Sequence, residues 1–439
     1  MKKLLSDTYE MRHYLLLWLT QMISSLGSGM TSYALVIWSY EQQGSALVTA
    51  LLMVCTYTPY VLCSIFAGAL SDRWNKKKIL LFCDGAAMLC TLIVFILLKA
   101  ELLQVWHLYI VNAFTGLMNT IQQPASEVAT TALLPRKYFQ KVGSLRYLSS
   151  SVNSILTPII ATAVLGLFGM DTIIAIDLIS FSVAALVLLL FIPIPKTAYN
   201  APKENFLHSL GEGLHYLKKE RGILHLMMFL AAINLVASMF EAAFPAMMLS
   251  LPEAGRIAMG VVNAVTGVTM LLGSMISVLL PTPKSRVRAI WYCLALSMCT
   301  ENFFLGFGKS LWIWCVGAFL GWIAIPWMNA NLDAIYRLTI PVEIQGRVFA
   351  ARNSFQFFTI PLGYFLGGLL VDQIFEPVMA LQQPDSLLSI LFGSGKGSGA
   401  AFFFVASGAA GVLVCLVFRR DRHIDALETS DSKGADHVS

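Results

Sequence analysis

A carboxylate interrupts an otherwise apolar stretch at Met239-Phe240-Glu241-Ala242-Ala243-Phe244-Pro245. Hydrocarbon disfavours an ionised carboxyl, so a group held there is suited to taking up and releasing a proton. A cationic ligand would compete for the same charge. The plainer alternative is a carboxyl at a wet outer mouth, passive and solvated. Asp177 and Glu301 sit in similar surroundings nearer the outer surface and rank below it. Neutral polar residues make a second set: Gln21, Asn112, Asn119, Gln122, Gln123 and Asn234. Each has the amide to hydrogen-bond a polar ligand, or equally a neighbouring helix. Trp38, Met239, Phe240, Phe244, Met247 and Met248 would suit a large, adaptable apolar pocket, or simply lipid and core contacts.

A third constellation occurs twice. Glu127, Pro135 and Arg146 recur as Asp333, Pro341 and Arg352, each offset by 206 residues. In both copies an acid precedes a proline break, and an arginine opens the next helix 19 residues after the acid. Such an acid and arginine stabilise each other only while paired, and opening the pair to water removes most of the benefit. Glu127, Arg146, Asp333 and Arg352, with Asp72 and Arg73, therefore read as a gate at one membrane face. Static anchoring of helix ends is the alternative. Asp84 is expected to hold Arg73 or a neighbouring lysine.

The elements carrying these residues follow from composition. The 439 residues are 57% hydrophobic and 13% charged, against roughly 25% charged in ordinary soluble domains. Twelve apolar spans follow one another, near 13–40, 45–70, 79–99, 104–134, 143–170, 171–193, 223–249, 255–280, 288–306, 309–338, 346–374 and 400–418. Each is near or above the roughly 20 residues needed to cross a bilayer. With both termini on one side, 26 of the 30 Lys and Arg fall on that side; Lys99, Arg256, Lys309 and Lys396 face the other. The positive-inside rule makes the rich face, and both termini, cytoplasmic. The net charge of +5 is thus sorted by topology rather than gathered into a nucleic-acid surface.

The expected organisation has four parts. Residues 1–193 form a first six-helix bundle, 194–222 a cytoplasmic linker, 223–422 a second six-helix bundle, and 423–439 a polar, disordered tail. Within the linker Leu210, Leu214 and Leu217 recur at helical spacing among charges, which predicts a short helix at the membrane surface. The fold class is an all-α membrane protein with twelve transmembrane helices in two pseudo-symmetric bundles. The first apolar run is too long for a cleavable leader and reads as the first helix.

Several chemistries are disfavoured. The eight cysteines lie inside apolar spans with no CxxC pair, so metal or disulfide use is not expected. Gly393-Ser394-Gly395-Lys396-Gly397-Ser398-Gly399 lacks the spacing of a phosphate-binding loop and falls on the outer side. Without a nucleotide site, any transport must draw on an ion or substrate gradient. No catalytic triad or metal-ligand constellation stands out, so neither an enzyme nor a cofactor is expected.

The loop between the second and third spans is the most specific motif. Gly68-Ala69-Leu70-Ser71-Asp72-Arg73-Trp74-Asn75-Lys76-Lys77-Lys78 resembles the signature joining the second and third helices of major facilitator superfamily transporters. In that family the Asp and Arg latch the helical halves on the cytoplasmic side, which assigns Gly68, Asp72, Arg73 and Lys77 to the gate by resemblance. Asn75 replaces the family's usual glycine and is expected to tolerate a left-handed backbone. Further segments are similar to the branch that includes macrolide efflux proteins and siderophore exporters. They are Gln123-Pro124-Ala125, Leu134-Pro135, Ile173-Ile174-Ala175-Ile176-Asp177, Glu212-Gly213 and Gly346-Arg347-Val348-Phe349.

The resemblance implies alternating access around a site between two halves and export of amphipathic compounds in exchange for protons, by a monomer. An endogenous siderophore, peptide or lipid is the alternative cargo, and a membrane sensor a third reading. Two departures bear on coupling. Asn112 stands four residues before Gly116 where proton-coupled members carry an arginine, and only Pro158 and Gly166 remain of the antiporter glycine signature. Proton coupling would then rest on Glu241 or another acid. Short loops without Asn-x-Ser/Thr sites suit a bacterial cell membrane.

Overall fold

In lipid a spanning segment must satisfy its own backbone hydrogen bonds, and the helix does so within one strand of chain. A computed structural model describes residues 10–134, 138–194, 215–251, 254–341, 348, 352 and 356–427, with the backbone alone at 65–73, 131, 139–141, 143, 144 and 147. Those residues are helices and short connections. The first six spans are α1 (Arg12–Gln43), α2 (Ala46–Arg73), α3 (Lys76–Lys99), α4 (Val105–Leu133), α5 (Phe139–Phe168) and α6 (Met170–Phe191). The next three are α7 (Arg221–Leu249), α8 (Gly255–Leu279) and α9 (Arg286–Phe307).

The tenth span is split into α10 (Leu311–Trp322) and α11 (Ile325–Thr339). Pro326 explains the break: it has no N–H for the carbonyl of Trp322, and its ring would clash there. The described part of the eleventh span is α12 (Thr359–Leu370), prolonged by a π-helical turn (Val371–Phe375) into α13 (Glu376–Ala380). After α14 (Leu387–Phe392), the twelfth span is α15 (Ser398–Phe418). Among the described residues, helices thus lie at each of the twelve expected spans, the eleventh described continuously only from residue 356.

Among the described residues nine helices are long and apolar enough to cross a membrane by length and composition. The 32-residue α1 and 29-residue α4 are as long but fall outside that set. Their apolarity is diluted by Gln21, Ser24, Ser25 and Ser28 on one and Asn112, Asn119, Gln122 and Gln123 on the other. These two helices carry the polar interior.

The chain divides into two compact units: Met1–Ser39 with Cys55–Lys203, and Tyr40–Val54 with Glu204–Ser439. In the first, α3 packs against α4 and α6 around Leu17, Ile79, Leu80, Met118 and Leu188. Phe82, Leu89 and Ile96, one helical face of α3 at seven-residue spacing, stay 56–64% exposed, as suits lipid contact. Gly116 of α4 lies where any Cβ would collide with the carbonyl of Thr56 on α2, so the close approach of these helices requires glycine.

The α2–α3 turn departs from one expectation. Asn75 is not left-handed: at φ −65°, ψ 119° it is extended and caps α3, its Oδ1 accepting from the backbone N–H groups of Lys77 (3.0 Å) and Lys78 (3.3 Å). A side-chain acceptor is what a helix start needs, and asparagine supplies one where glycine would not. Lys77 reaches the other way. Its ammonium donates to the carbonyls of Leu189 and Ile192, both at 2.9 Å, and so closes the C-terminal end of α6.

In the second unit α12 packs on α7, and α15 on α7 and α9. Their core includes Leu226, Leu230, Ile290, Leu294 and Tyr336. Two expectations change here. Residues 215–219 are helical, but Leu217 is 2% exposed and belongs to this core instead of facing lipid; Leu210 and Leu214 lie outside the described residues. Residues 422–427 are helical, although 423–439 were expected to be a disordered tail, and they bury Ile424 and Leu427 in the same core; 428–439 lie outside the described residues. The i, i+3 spacing of those two side chains gives the segment an apolar face worth docking. Asp421 fixes its start, accepting from the N–H of His423 (2.8 Å) and of Ile424 (3.4 Å) and meeting His225 Nδ1 at 2.6 Å. All eight cysteines are free thiols, four of them buried.

Candidate functional site

The polar faces of α1 and α4 meet inside the first unit and line a cavity of about 690 Å³. On α1, Gln21, Ser24, Ser25 and Ser28 recur at i, i+3, i+4 and i+7, one helical face. On α4, Asn112, Thr115, Asn119, Gln122, Gln123, Ser126 and Thr130 continue the lining through five turns. Tyr14, Trp18 and Phe181 add aromatic surface, and Asp84 comes from α3. Trp18 also holds the wall in shape, its Nε1 donating to the Leu145 carbonyl of α5 at 3.0 Å.

Asp84 is 5% exposed. Its Oδ2 accepts from Gln21 Nε2 at 3.1 Å and its Oδ1 from Gln122 Nε2 at 2.7 Å. Two neutral amides, not a lysine, are thus the partners found for it among the described residues. Glu127 and Arg146 form an ion pair that also lines the cavity, with side chains 48% and 55% exposed. Both belong to the first unit, so the pair braces α4 against α5. Gly68, Asp72 and Arg73 have helical backbone at the end of α2, but their side chains lie outside the described part.

Of the residues expected to bind, Gln21, Asn112, Asn119 and Gln123 converge on this cavity together with Asp84, Glu127 and Arg146. Asp177 is buried behind it at 1% exposure, accepting from Ser28 Oγ at 3.0 Å. The sequence reading missed Tyr14, Trp18 and the serines of α1. Their helical spacing with Gln21 was the available signal.

The second unit holds the remaining candidates. Glu241, on α7, is half-buried, and its Oε2 accepts from the Tyr364 hydroxyl of α12 at 2.7 Å. Around it Ala50, Ala242 and Tyr364 form a small apolar cluster. Glu301 on α9 is 7% exposed and accepts from Trp322 Nε1 at 2.8 Å. Gly321 lets these helices close on it, since a Cβ there would lie 2.7 Å from that of Glu301. Asn234 Nδ2 reaches the Gln356 carbonyl only at 3.5 Å. Asp333 is exposed, and the Arg352 guanidinium lies 5.1 Å from the Tyr336 ring centre. No group of three or more His, Cys, Asp or Glu among the described residues is arranged to hold a metal ion.

Comparison with known proteins agrees with this architecture. The sequence model of the Major Facilitator Superfamily matches residues 17–363. Macrolide efflux protein A of Streptococcus pyogenes is 22% identical over 377 residues, covering 84% of this chain and 91% of that protein. The protein of the same name from Enterococcus faecalis is 23% identical, covering 73% of this chain and 99% of its own length. Among solved structures, a mutant of the nucleoside transporter NupG superposes with a TM-score of 0.70 at 13% identity, covering 93% of this chain and 99% of that one. At that identity the likeness speaks for the fold alone.

Proposed function

Since this chain belongs to the Major Facilitator Superfamily and is a multi-pass membrane transporter, we propose that it exports amphipathic, macrolide-like compounds in exchange for protons. The observation that carries the reading is the first unit's cavity: about 690 Å³, lined by amides, hydroxyls, aromatic rings and a carboxylate. Such a surface offers hydrogen bonds to a ligand's oxygens and apolar area to its ring, which suits a bulky molecule of mixed polarity. The macrolide efflux relatives give the class of cargo. Export runs by alternating access from a bacterial cell membrane with both termini in the cytoplasm, and one chain suffices.

Glu241 is the proton carrier in this scheme. It lies on a helix that is otherwise apolar around it, and its partner among the described residues, the Tyr364 hydroxyl, can accompany the carboxyl in either protonation state. Glu127, Arg146, Asp333 and Arg352, with Asp72 and Arg73, make up the cytoplasmic gate, and Lys77 holds α6 beside it. Asn112, Asn119, Gln21 and Gln123 contact the cargo. Asp177 supports that wall through Ser28.

The test is accumulation of a labelled macrolide in an efflux-deficient bacterial host. Expression of the protein should lower accumulation, a protonophore should restore it, and Glu241→Gln should abolish the effect. Accumulation equal to the empty vector, with the protein confirmed in the membrane, would overturn the macrolide assignment.

A further inference from the structure

We infer that Asp84 is the counter-charge for a cationic group of the cargo, an ammonium on an amphipathic amine bound in the first unit's cavity. The inference rests on reading that cavity as the cargo site. Its starting point is a charge balance. Two acids and one base line the cavity, and Glu127 and Arg146 already neutralise each other. Asp84 is left. Its partners among the described residues are the neutral amides of Gln21 and Gln122, at 3.1 and 2.7 Å.

The amides orient the carboxylate and satisfy part of its hydrogen-bonding capacity, but they bring no net charge. A carboxylate 5% exposed, with no cation among its partners in the described residues, is costly to keep ionised. A ligand that delivers a positive charge removes that cost, so the site discriminates in favour of cations. Tyr14, Trp18 and Phe181 line the same cavity, and aromatic rings attract ammonium groups. Its volume of about 690 Å³ lies within the roughly 300–1,000 Å³ of small-molecule sites. The other way to neutralise Asp84 is a proton, in which case a neutral cargo would bind as well as a charged one.

Binding to the purified full-length protein separates the two. Three probes are compared: tetraphenylphosphonium, a macrolide bearing a dimethylamino sugar, and the same macrolide with one N-methyl group removed and the nitrogen acetylated to a neutral amide. Asp84→Asn should weaken the amino macrolide about tenfold or more, the scale of a lost charge-assisted hydrogen bond, and tetraphenylphosphonium about tenfold through loss of the opposite charge alone. The acetylated macrolide should change less than twofold, and Asp84→Glu should recover part of the cation affinity. Should the asparagine variant fail to fold, Asp84→Ser, which keeps a hydroxyl for the amides, takes its place.

The inference is overturned if wild type does not bind tetraphenylphosphonium, or if its affinity survives loss of the carboxylate. Equal weakening of both macrolides would overturn it too. Asp84-dependent binding of tetraphenylphosphonium with no binding of either macrolide would support the inference while overturning the macrolide assignment above.

Discussion

The ion pair between Glu127 and Arg146 allows the gate reading to be tested by size of effect. Its side chains are 48% and 55% exposed, so water screens most of the attraction. A pair this wet contributes about 1 kcal/mol at most, which is roughly a fivefold change in an equilibrium constant. Arg146→Gln or Glu127→Gln should therefore shift the balance between conformations that keep and break the pair by no more than about fivefold. Raising salt from 0.1 to 1 M shortens the screening length from about 10 to about 3 Å and should shift wild type the same way. The charge-exchanged double variant, Glu127→Arg with Arg146→Glu, should return towards wild type.

The assay is the rate of maleimide attachment to a single cysteine placed at Ser126, which lines the same cavity, in a background free of the eight native cysteines. Unchanged labelling with lower protein yield would mean that the pair only braces α4 against α5. A fiftyfold shift from one substitution, or no recovery in the exchanged variant, would refute the reasoning from a weak, reversible pair.

Three further outcomes follow from the same structure. Asp421 is pushed up by burial but held lower, on balance, by His225 and by the N–H groups of His423 and Ile424, so its carboxyl lies below the usual carboxylate range. A lowered folded value means that its stabilisation is complete above about pH 4 and is lost as pH falls through the folded value. Protease cutting within 422–427 should rise on acidification, and Asp421→Asn should make it high and pH-independent. Lys77→Met removes two donors to the end of α6 and should speed amide exchange in its last turn about fivefold, for a loss of about 1 kcal/mol. Glu241→Gln should abolish proton-driven efflux while macrolide binding stays within a few-fold of wild type, as equilibrium dialysis would read.

The helical plan was legible because apolar length and charge sorting are properties of local sequence, and lipid leaves the backbone few other options. The split of the tenth span at Pro326 was not read from the sequence, because Pro59 and Pro245 sit inside helices that continue unbroken and a proline alone does not announce a break. Contacts distant in sequence were harder to read. Asp84 stands beside the basic turn in the sequence and was matched with Arg73 or a lysine; the Arg73 side chain lies outside the described residues, and the partners described for Asp84 come from 63 and 38 residues away. Position along a helix sets depth, and only packing sets direction. The amides Gln21, Asn112, Asn119 and Gln123 were found one at a time by type; that they face one cavity depends on how α1 and α4 are turned.

The C-terminal segment shows the converse. Its composition is polar, and two apolar side chains, Ile424 and Leu427, are enough to dock it. At Asn75 the family's glycine suggested a left-handed turn, while the polar side chain offered a helix cap; the cap prevailed because α3 begins there.

The most direct test of transport is made with the purified protein in sealed lipid vesicles, loaded acidic inside and diluted into neutral buffer containing a labelled macrolide. Proton-linked exchange predicts accumulation inside above the outer concentration, collapsing when a protonophore dissipates the gradient and absent with Glu241→Gln. Uptake that never exceeds equilibration, or that is indifferent to the pH gradient, would contradict a proton-driven exporter.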